Sequence, residues 1–197
     1  MRHFSHISKE FHAHIAHLVP TQDLPQPYKP KCRNLHGHTV TIIANIKGFI
    51  NNKTRMLIDY TLLDSFKQFI DIYLDHKLIL ARPFHKYAES IYDMFNKLSL
   101  SKEKGCFHML NDIVVASTQS HVTCLNVEST TAEDMSFYLG IILLGIIHSV
   151  SPKYKGFITD VYVEFKETPK SSAISYLPRK IMNPKYYPEF IKEYFED

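Results

Sequence analysis

A chain of 197 residues, 45% hydrophobic and 22% charged, has the composition of an ordinary globular protein able to enclose one sizeable core. A net charge of +3, with no run of clustered Lys and Arg, suits an anionic small molecule and argues against nucleic acid as a partner. Three cysteines cannot form a disulfide framework and the N-terminus has no apolar leader, so the expectation is a reducing cytoplasm and no membrane partner.

The first strand is predicted over Glu10 to Leu18, where Phe11, Ala13, Ile15 and His17 share one parity and hence one face. Residues 19–31 contain four prolines and are expected to loop. A second strand is predicted from His36 to near Gly48, followed by a turn at Asn51-Asn52-Lys53. Asp59 is the expected N-cap of a helix that buries Leu63, Phe66, Phe69, Ile70 and Tyr73 and ends at Leu74-Asp75-His76-Lys77. Residues 81–111 are expected to form an irregular insertion with one short helix around Tyr87 to Leu98. Asp112 to Ala116 and Val122 to Val127 are expected as two short strands.

Thr130-Thr131-Ala132-Glu133 has the pattern of a capping box and opens a helix running to about His148. Its most apolar part, Phe137 to Ile147, is too short to span a bilayer and reads as a buried helix. Residues 157–166 alternate, with Val161, Val163 and Phe165 on one face and Glu167 following on that face. Tyr176 to Asp197 reads as a polar, aromatic-rich tail. The expectation is one domain over 1–197, with an insertion at about 81–125 and a tail at about 176–197. Its class is α+β, an antiparallel four-stranded sheet with two helices packed on one face.

The chemistry concentrates in Cys32-Arg-Asn-Leu-His36-Gly37-His38. Side chains two apart on a strand project to one face, so His36 and His38 point together, as two ligands of one metal ion must. A catalytic zinc takes three protein ligands and keeps one position open, so a third ligand is required from elsewhere. Twelve histidines would by chance place about one His-x-His in such a chain, and a second, His12-Ala13-His14, is present. Gly37 adds weight to the first pair, because Gly inside a strand often marks the close approach of another group.

Taken in order, these segments resemble the 6-pyruvoyl-tetrahydropterin synthase family, including the 6-carboxytetrahydropterin synthases of the queuosine pathway. The residues that carry the resemblance are Ala16-His17, Cys32-x-x-x-His36-Gly37-His38, Ile58-Asp59-Tyr60, Leu74-Asp75-His76, Thr130-Thr131-Ala132-Glu133, Lys166-Glu167-Thr168 and the small residues Ser171 to Ser175. The insertion resembles a longer branch of the family.

The resemblance implies a tunnelling fold (T-fold) and Zn2+ held by His17, His36 and His38. His14, of opposite parity to Phe11 and Ala13, is the competitor for the third place. It implies Cys32 as the general base, stabilised as a thiolate near a cationic site, although a buried inert thiol is the usual fate of an isolated cysteine. Asp75 and His76 become a relay that tunes the thiol, where position alone would make them a helix end. Glu167 would grip two neighbouring nitrogens of a pterin ring, with Glu164 or Glu133 as the alternatives, and Thr131 would add a contact there; helix capping accounts for Thr131 equally well. Asp59 is read as structural.

The implied substrate is 7,8-dihydroneopterin triphosphate. The three-residue gap between Cys32 and His36 favours 6-carboxy-5,6,7,8-tetrahydropterin as product, with the 6-pyruvoyl product as the alternative. A non-catalytic zinc- and pterin-binding structural protein is the alternative of another class, and it would be expected to lack the thiol or the Asp-His pair. Leu18 stands where the family often has a basic residue, which leaves Lys31, Arg33 and Lys77 as candidates for the triphosphate. The implied assembly is a homo-oligomer, a hexamer built as a dimer of trimers.

Overall fold

The computed structural model describes residues 3–20, 22–81, 105–110, 113–150 and 158–196. The strands are β1 (Phe4–His17), β2 (His36–Phe49), β3 (Lys77–Ala81), β4 (Gly105–Leu110), β5 (Ile113–Thr118), β6 (Val122–Leu125), β7 (Ile158–Thr168) and β8 (Ser171–Tyr176). The helices are α1 (Asp64–Tyr73), α2 (Ala132–Val150) and α3 (Tyr187–Glu196).

The main sheet has six strands in the order β6-β3-β1-β2-β7-β8, and β4 and β5 form a separate two-stranded sheet. The expected four-stranded antiparallel sheet is corrected on both counts. The β1–β3 and β3–β6 pairs are parallel, whereas β2–β7 and β7–β8 are antiparallel. Strand β3 follows directly on the end of α1 and reads Lys-Leu-Ile-Leu-Ala, an apolar run without alternation, as parallel strands buried on both faces do. Strand β8, Ser-Ser-Ala-Ile-Ser-Tyr, is a sheet edge whose two large side chains, Ile174 and Tyr176, are exposed.

The described residues group into two compact units: residues 1–13, 40–72 and 132–197 in one, and 14–39 and 73–131 in the other. In the first, alternation places Val40, Ile42, Ala44 and Ile46 of β2 in the core with Val161, Val163 and Phe165 of β7. Helix α2 packs on β7 and β8 through residues such as Met135, Leu139 and Leu143. Ser136 stitches that contact together: its buried hydroxyl donates to the Val163 carbonyl at 2.6 Å and accepts from the Ser175 N–H at 2.8 Å. The helix has 19 residues and is longer than expected; by length and composition alone it could cross a membrane. Half of its apolar window is buried inside the protein, as in a core helix.

Asp59 caps a short 3-10 turn (Tyr60–Leu63), accepting from the Thr61 N–H and hydroxyl, and α1 follows. The α1 segment buries Leu63, Phe66 and Ile70, and Phe66 meets Phe11 of β1 edge to face at 5.6 Å. Tyr73, expected inside, is exposed.

The tail expected over 176–197 carries regular structure. A 3-10 turn (Arg179–Met182) and α3 follow β8, and Leu177 and Ile181 are buried. The Tyr187 hydroxyl donates to the Ile141 carbonyl of α2 at 2.8 Å. Gly145 makes this approach possible, because a Cβ there would overlap that hydroxyl.

In the second unit, β3 lies between the C-terminal end of β1 and β6, with Ile79, Leu80, Ala81, Leu125 and Ile15 buried. Strands β5 and β6 fall where two short strands are expected, and β4 occupies part of the stretch expected to be irregular. The short helix expected around Tyr87 to Leu98 lies outside the described residues.

Candidate metal centre and active-site residues

His17 is the last residue of β1, and His36 and His38 are the first and third of the neighbouring β2. Each shares the parity of the buried residues on its own strand, so two rows of core side chains end in three imidazoles. One ligand atom from each lies within 4.8 Å of the other two, so the cluster could hold a metal ion. The ring centroids stand 4.6, 5.2 and 4.9 Å apart.

Hydrogen bonds select the nitrogen offered. His17 Nδ1 lies 2.9 Å from the Thr130 carbonyl oxygen and His36 Nδ1 lies 2.7 Å from that of Asn34. A carbonyl only accepts, so both Nδ1 atoms carry the proton and both Nε2 atoms carry the lone pair. This arrangement orients imidazole ligands in metal sites. Burial, opposed by the Thr130 hydrogen bond and reinforced by His36 and His38, lowers the His17 pKa from 6.5 to about 4. The imidazole is therefore neutral at physiological pH, the form a metal requires. Two imidazoles with the lone pair fixed on Nε2, and a third beside them, fit a zinc ion by their donor chemistry.

Gly37, between the two β2 histidines, has no positive φ. What it supplies is space: a Cβ there would sit 3.3 Å from the Ile15 carbonyl oxygen of β1. His14 stands apart from the cluster. Its Nδ1 lies 3.1 Å from the Thr39 hydroxyl and its ring centroid 5.2 Å from that of His76.

Cys32 lies in a 3-10 turn (Lys31–Arg33) and is half-buried. Its N–H donates to Gln22 Oε1 at 2.9 Å and its carbonyl accepts from the Val19 N–H at 2.7 Å, so the proline-rich loop fixes the backbone beneath the thiol. Among the described residues, no hydrogen bond joins this thiol to Asp75 or His76. Those two are joined to each other, with His76 Nδ1 2.8 Å from Asp75 Oδ2. The second oxygen, Asp75 Oδ1, accepts from the His14 N–H at 2.8 Å. Burial pushes the Asp75 carboxyl up, but the hydrogen bonds from His14 and His76 outweigh it and hold the group below its usual range. His76 adopts a left-handed backbone, φ 57°, uncommon for a residue with a side chain.

Thr130 was legible only as part of a capping box. The structure adds that its buried hydroxyl donates to the Leu18 carbonyl at 2.7 Å while its own carbonyl holds His17. Thr131 is half-buried just before α2.

Glu167 is half-buried near the end of β7, at a feature that sequence reasoning missed. Lys166 pairs with Ser172 and Thr168 with Ser171, so Glu167 is the extra residue of a β-bulge. Bulges re-aim side chains and recur beside active sites. Glu164 faces Lys166 at 3.5 Å, and Glu133 is exposed. Of the basic candidates, Arg33 Nε donates to the Gln22 carbonyl, the Lys77 ammonium donates to the Ser120 carbonyl, and Lys31 is exposed. Leu18 is buried in the core.

The sequence model described as 6-pyruvoyl tetrahydropterin synthase matches residues 6–176. Among solved structures, the 6-pyruvoyl tetrahydropterin synthase of Plasmodium vivax superposes with a TM-score of 0.64 at 16% identity, covering 89% of this chain and 98% of that one. The Plasmodium falciparum synthase gives 0.59 at 17%, covering 88% and 99%. An uncharacterised protein from Wolinella succinogenes gives 0.64 at 25%, covering 89% and 99%. The matched span takes in the three clustered histidines, Cys32, the Asp75–His76 pair and Glu167, and with this α+β T-fold the chain belongs to the 6-pyruvoyl tetrahydropterin synthase family.

Proposed function

We propose that this chain is a zinc-dependent lyase that converts 7,8-dihydroneopterin triphosphate into 6-carboxy-5,6,7,8-tetrahydropterin in a reducing cytoplasm, releasing triphosphate and acetaldehyde. The observation that carries this reading is the convergence of His17, His36 and His38, two of them with Nε2 fixed as the lone-pair atom, four residues after a thiol.

His17, His36 and His38 would hold the zinc, which would supply Lewis-acid chemistry toward the substrate's side-chain hydroxyls and the adjacent C–H. Cys32, as thiolate, takes or returns the proton at that carbon. Asp75 keeps the proton of His76 on Nδ1, so Nε2 is the basic atom available to exchange a proton with the thiol. His76 is 75% exposed and is not joined to Cys32 within one chain. That exposure supports a relay completed between copies in a homo-oligomer, a hexamer formed as a dimer of trimers. Glu167 accepts two parallel hydrogen bonds from the pterin's amino group and ring N–H, with Thr131 as an added contact. Lys31 is the best placed of the basic residues to meet triphosphate, since Arg33 and Lys77 already donate to backbone carbonyls.

The test is incubation of the zinc-loaded protein with 7,8-dihydroneopterin triphosphate and mass spectrometry of the products. A 6-carboxy product with stoichiometric acetaldehyde is expected. A 6-pyruvoyl product without acetaldehyde would move the chain to the other branch, and binding without turnover would leave it a non-catalytic zinc- and pterin-binding protein.

A further inference from the structure

The contacts around His76 involve one residue that no role above uses. His14 sits on β1 one position before the parallel pairing with β3 begins at Ile15 and Lys77. There the regular ladder is replaced. The His14 carbonyl accepts from the His76 N–H at 2.7 Å, and the His14 N–H donates to the Asp75 carboxylate at 2.8 Å. The main chain of one residue therefore holds both members of the Asp75–His76 pair. These bonds help maintain the left-handed backbone of His76, a conformation that a non-glycine residue keeps only when its surroundings over-determine it.

The side chain of His14 adds a third restraint. Its Nδ1 is tied to the Thr39 hydroxyl at 3.1 Å, and its ring meets the His76 ring at a centroid distance of 5.2 Å and an interplanar angle of 62°. The His76 side chain is otherwise 75% exposed, and among the described residues the bond to Asp75 is its sole side-chain hydrogen bond. One hydrogen bond leaves a ring free to pivot about it, and a second ring standing against it removes that freedom.

We propose that His14 is a positioning residue: its imidazole, tied back by Thr39, is the wall that sets the orientation of His76 and so keeps its ring on Asp75, which selects the tautomer. The structural part stands by itself, and only its kinetic consequence rests on the pterin-synthase reading.

The experiment uses the zinc-loaded full chain and three variants, His14→Ala, His14→Phe and Thr39→Val. Nitrogen-15 NMR of the imidazoles reads the tautomer of His76 directly, whether or not turnover is detectable. Wild type should show one His76 tautomer, protonated at Nδ1. His14→Ala should show mixed tautomers with rapid Nδ1–H exchange, unchanged zinc content, and a kcat lowered about tenfold at unchanged KM, as expected of a misoriented proton-transfer group. His14→Phe keeps a ring wall and should restore the single tautomer. Thr39→Val unties the wall without removing it and should shift the His76 signals in the direction of His14→Ala; it carries the test if His14→Ala does not fold. Wild-type His76 signals in His14→Ala or, in that case, in Thr39→Val would overturn the proposal, as would a His14→Phe protein as disordered at His76 as the alanine variant. Altered His76 signals in an enzyme whose wild type turns over no dihydroneopterin triphosphate would leave the positioning role standing and sink the pterin-synthase reading instead.

Discussion

Replacing Gly37 with alanine separates the metal site from the stability of the sheet. The added Cβ would lie 3.3 Å from the Ile15 carbonyl oxygen, tighter by a few tenths of an ångström than an ordinary contact. Ile15 is held opposite Lys77 in the β1–β3 ladder, so β1 cannot yield freely and the start of β2 must shift. Two effects on stability oppose each other. Overpacking by one methyl costs about 1 kcal/mol, while replacing a strand glycine returns about 0.5–1 kcal/mol of chain entropy. Because Gly37 has no positive φ, strain does not cancel that return. The metal site gains no such offset. His36 and His38 flank the shifted residue, and His17 lies two positions beyond Ile15. Metal–ligand distances tolerate only about 0.2 Å, and disturbed ligand orientation costs about 10–100-fold in affinity. The expected result is zinc affinity reduced about 10–100-fold with an apo-protein urea midpoint close to wild type. Competition against a chromophoric chelator measures the first and circular dichroism in urea the second. Wild-type zinc affinity would refute the reasoning, and so would an apo-protein destabilised by several kcal/mol.

Cys32→Ala is expected to retain zinc and fold while lowering turnover by roughly two to four orders of magnitude, the usual share of a general base; comparable losses in Cys106→Ala or Cys124→Ala would remove Cys32 from that role. Glu167→Gln should weaken dihydropterin binding by about 2 kcal/mol in calorimetry, with zinc content unchanged, and wild-type affinity would hand the ring to another carboxylate. For the metal-free protein, the depressed His17 pKa means that the unfolded chain takes up the proton first. Stability should be complete above the unfolded value of 6.5 and decline as pH falls towards about 4, by up to about 3 kcal/mol. Urea midpoints across that window in wild type and His17→Gln check this, and equal slopes in the two proteins would contradict it.

What could be read from the sequence was what is local and periodic. The face shared by His36 and His38, the alternation of β2 and β7 and the Asp59 cap need only neighbouring residues. The third histidine could be drawn into the cluster only through the order of family motifs, because adjacency of β1 and β2 is a tertiary fact. Strand β3 was hidden by its lack of alternation, and the bulge at Glu167 could not be seen without knowing which residues of β8 face β7. The grip of His14 on the Asp75–His76 pair was invisible for the same reason. Helix α3 did leave a signal: Tyr187, Phe190, Ile191 and Tyr194 recur at helical spacing. Pro188 does not contradict that period, because it lies in the first turn of α3, where a missing N–H costs nothing.

The contact between Tyr187 and Gly145 gives the last twenty residues a standing that their position would not suggest. The family's sequence signature stops at residue 176, but the packed interior does not. Leu177 reaches within 3.4 Å of the Cβ position of Gly140, and the Tyr187 phenol occupies the notch at Gly145. The two glycines of α2 are thus moulded to a segment that lies outside the shared pattern. A chain trimmed to the family boundary would expose an apolar groove along α2, shaped for a missing occupant and ready to capture another molecule's apolar surface. What looks like an appendage is a cover on α2, with Leu177 and the Tyr187 phenol filling the places that its two glycines leave.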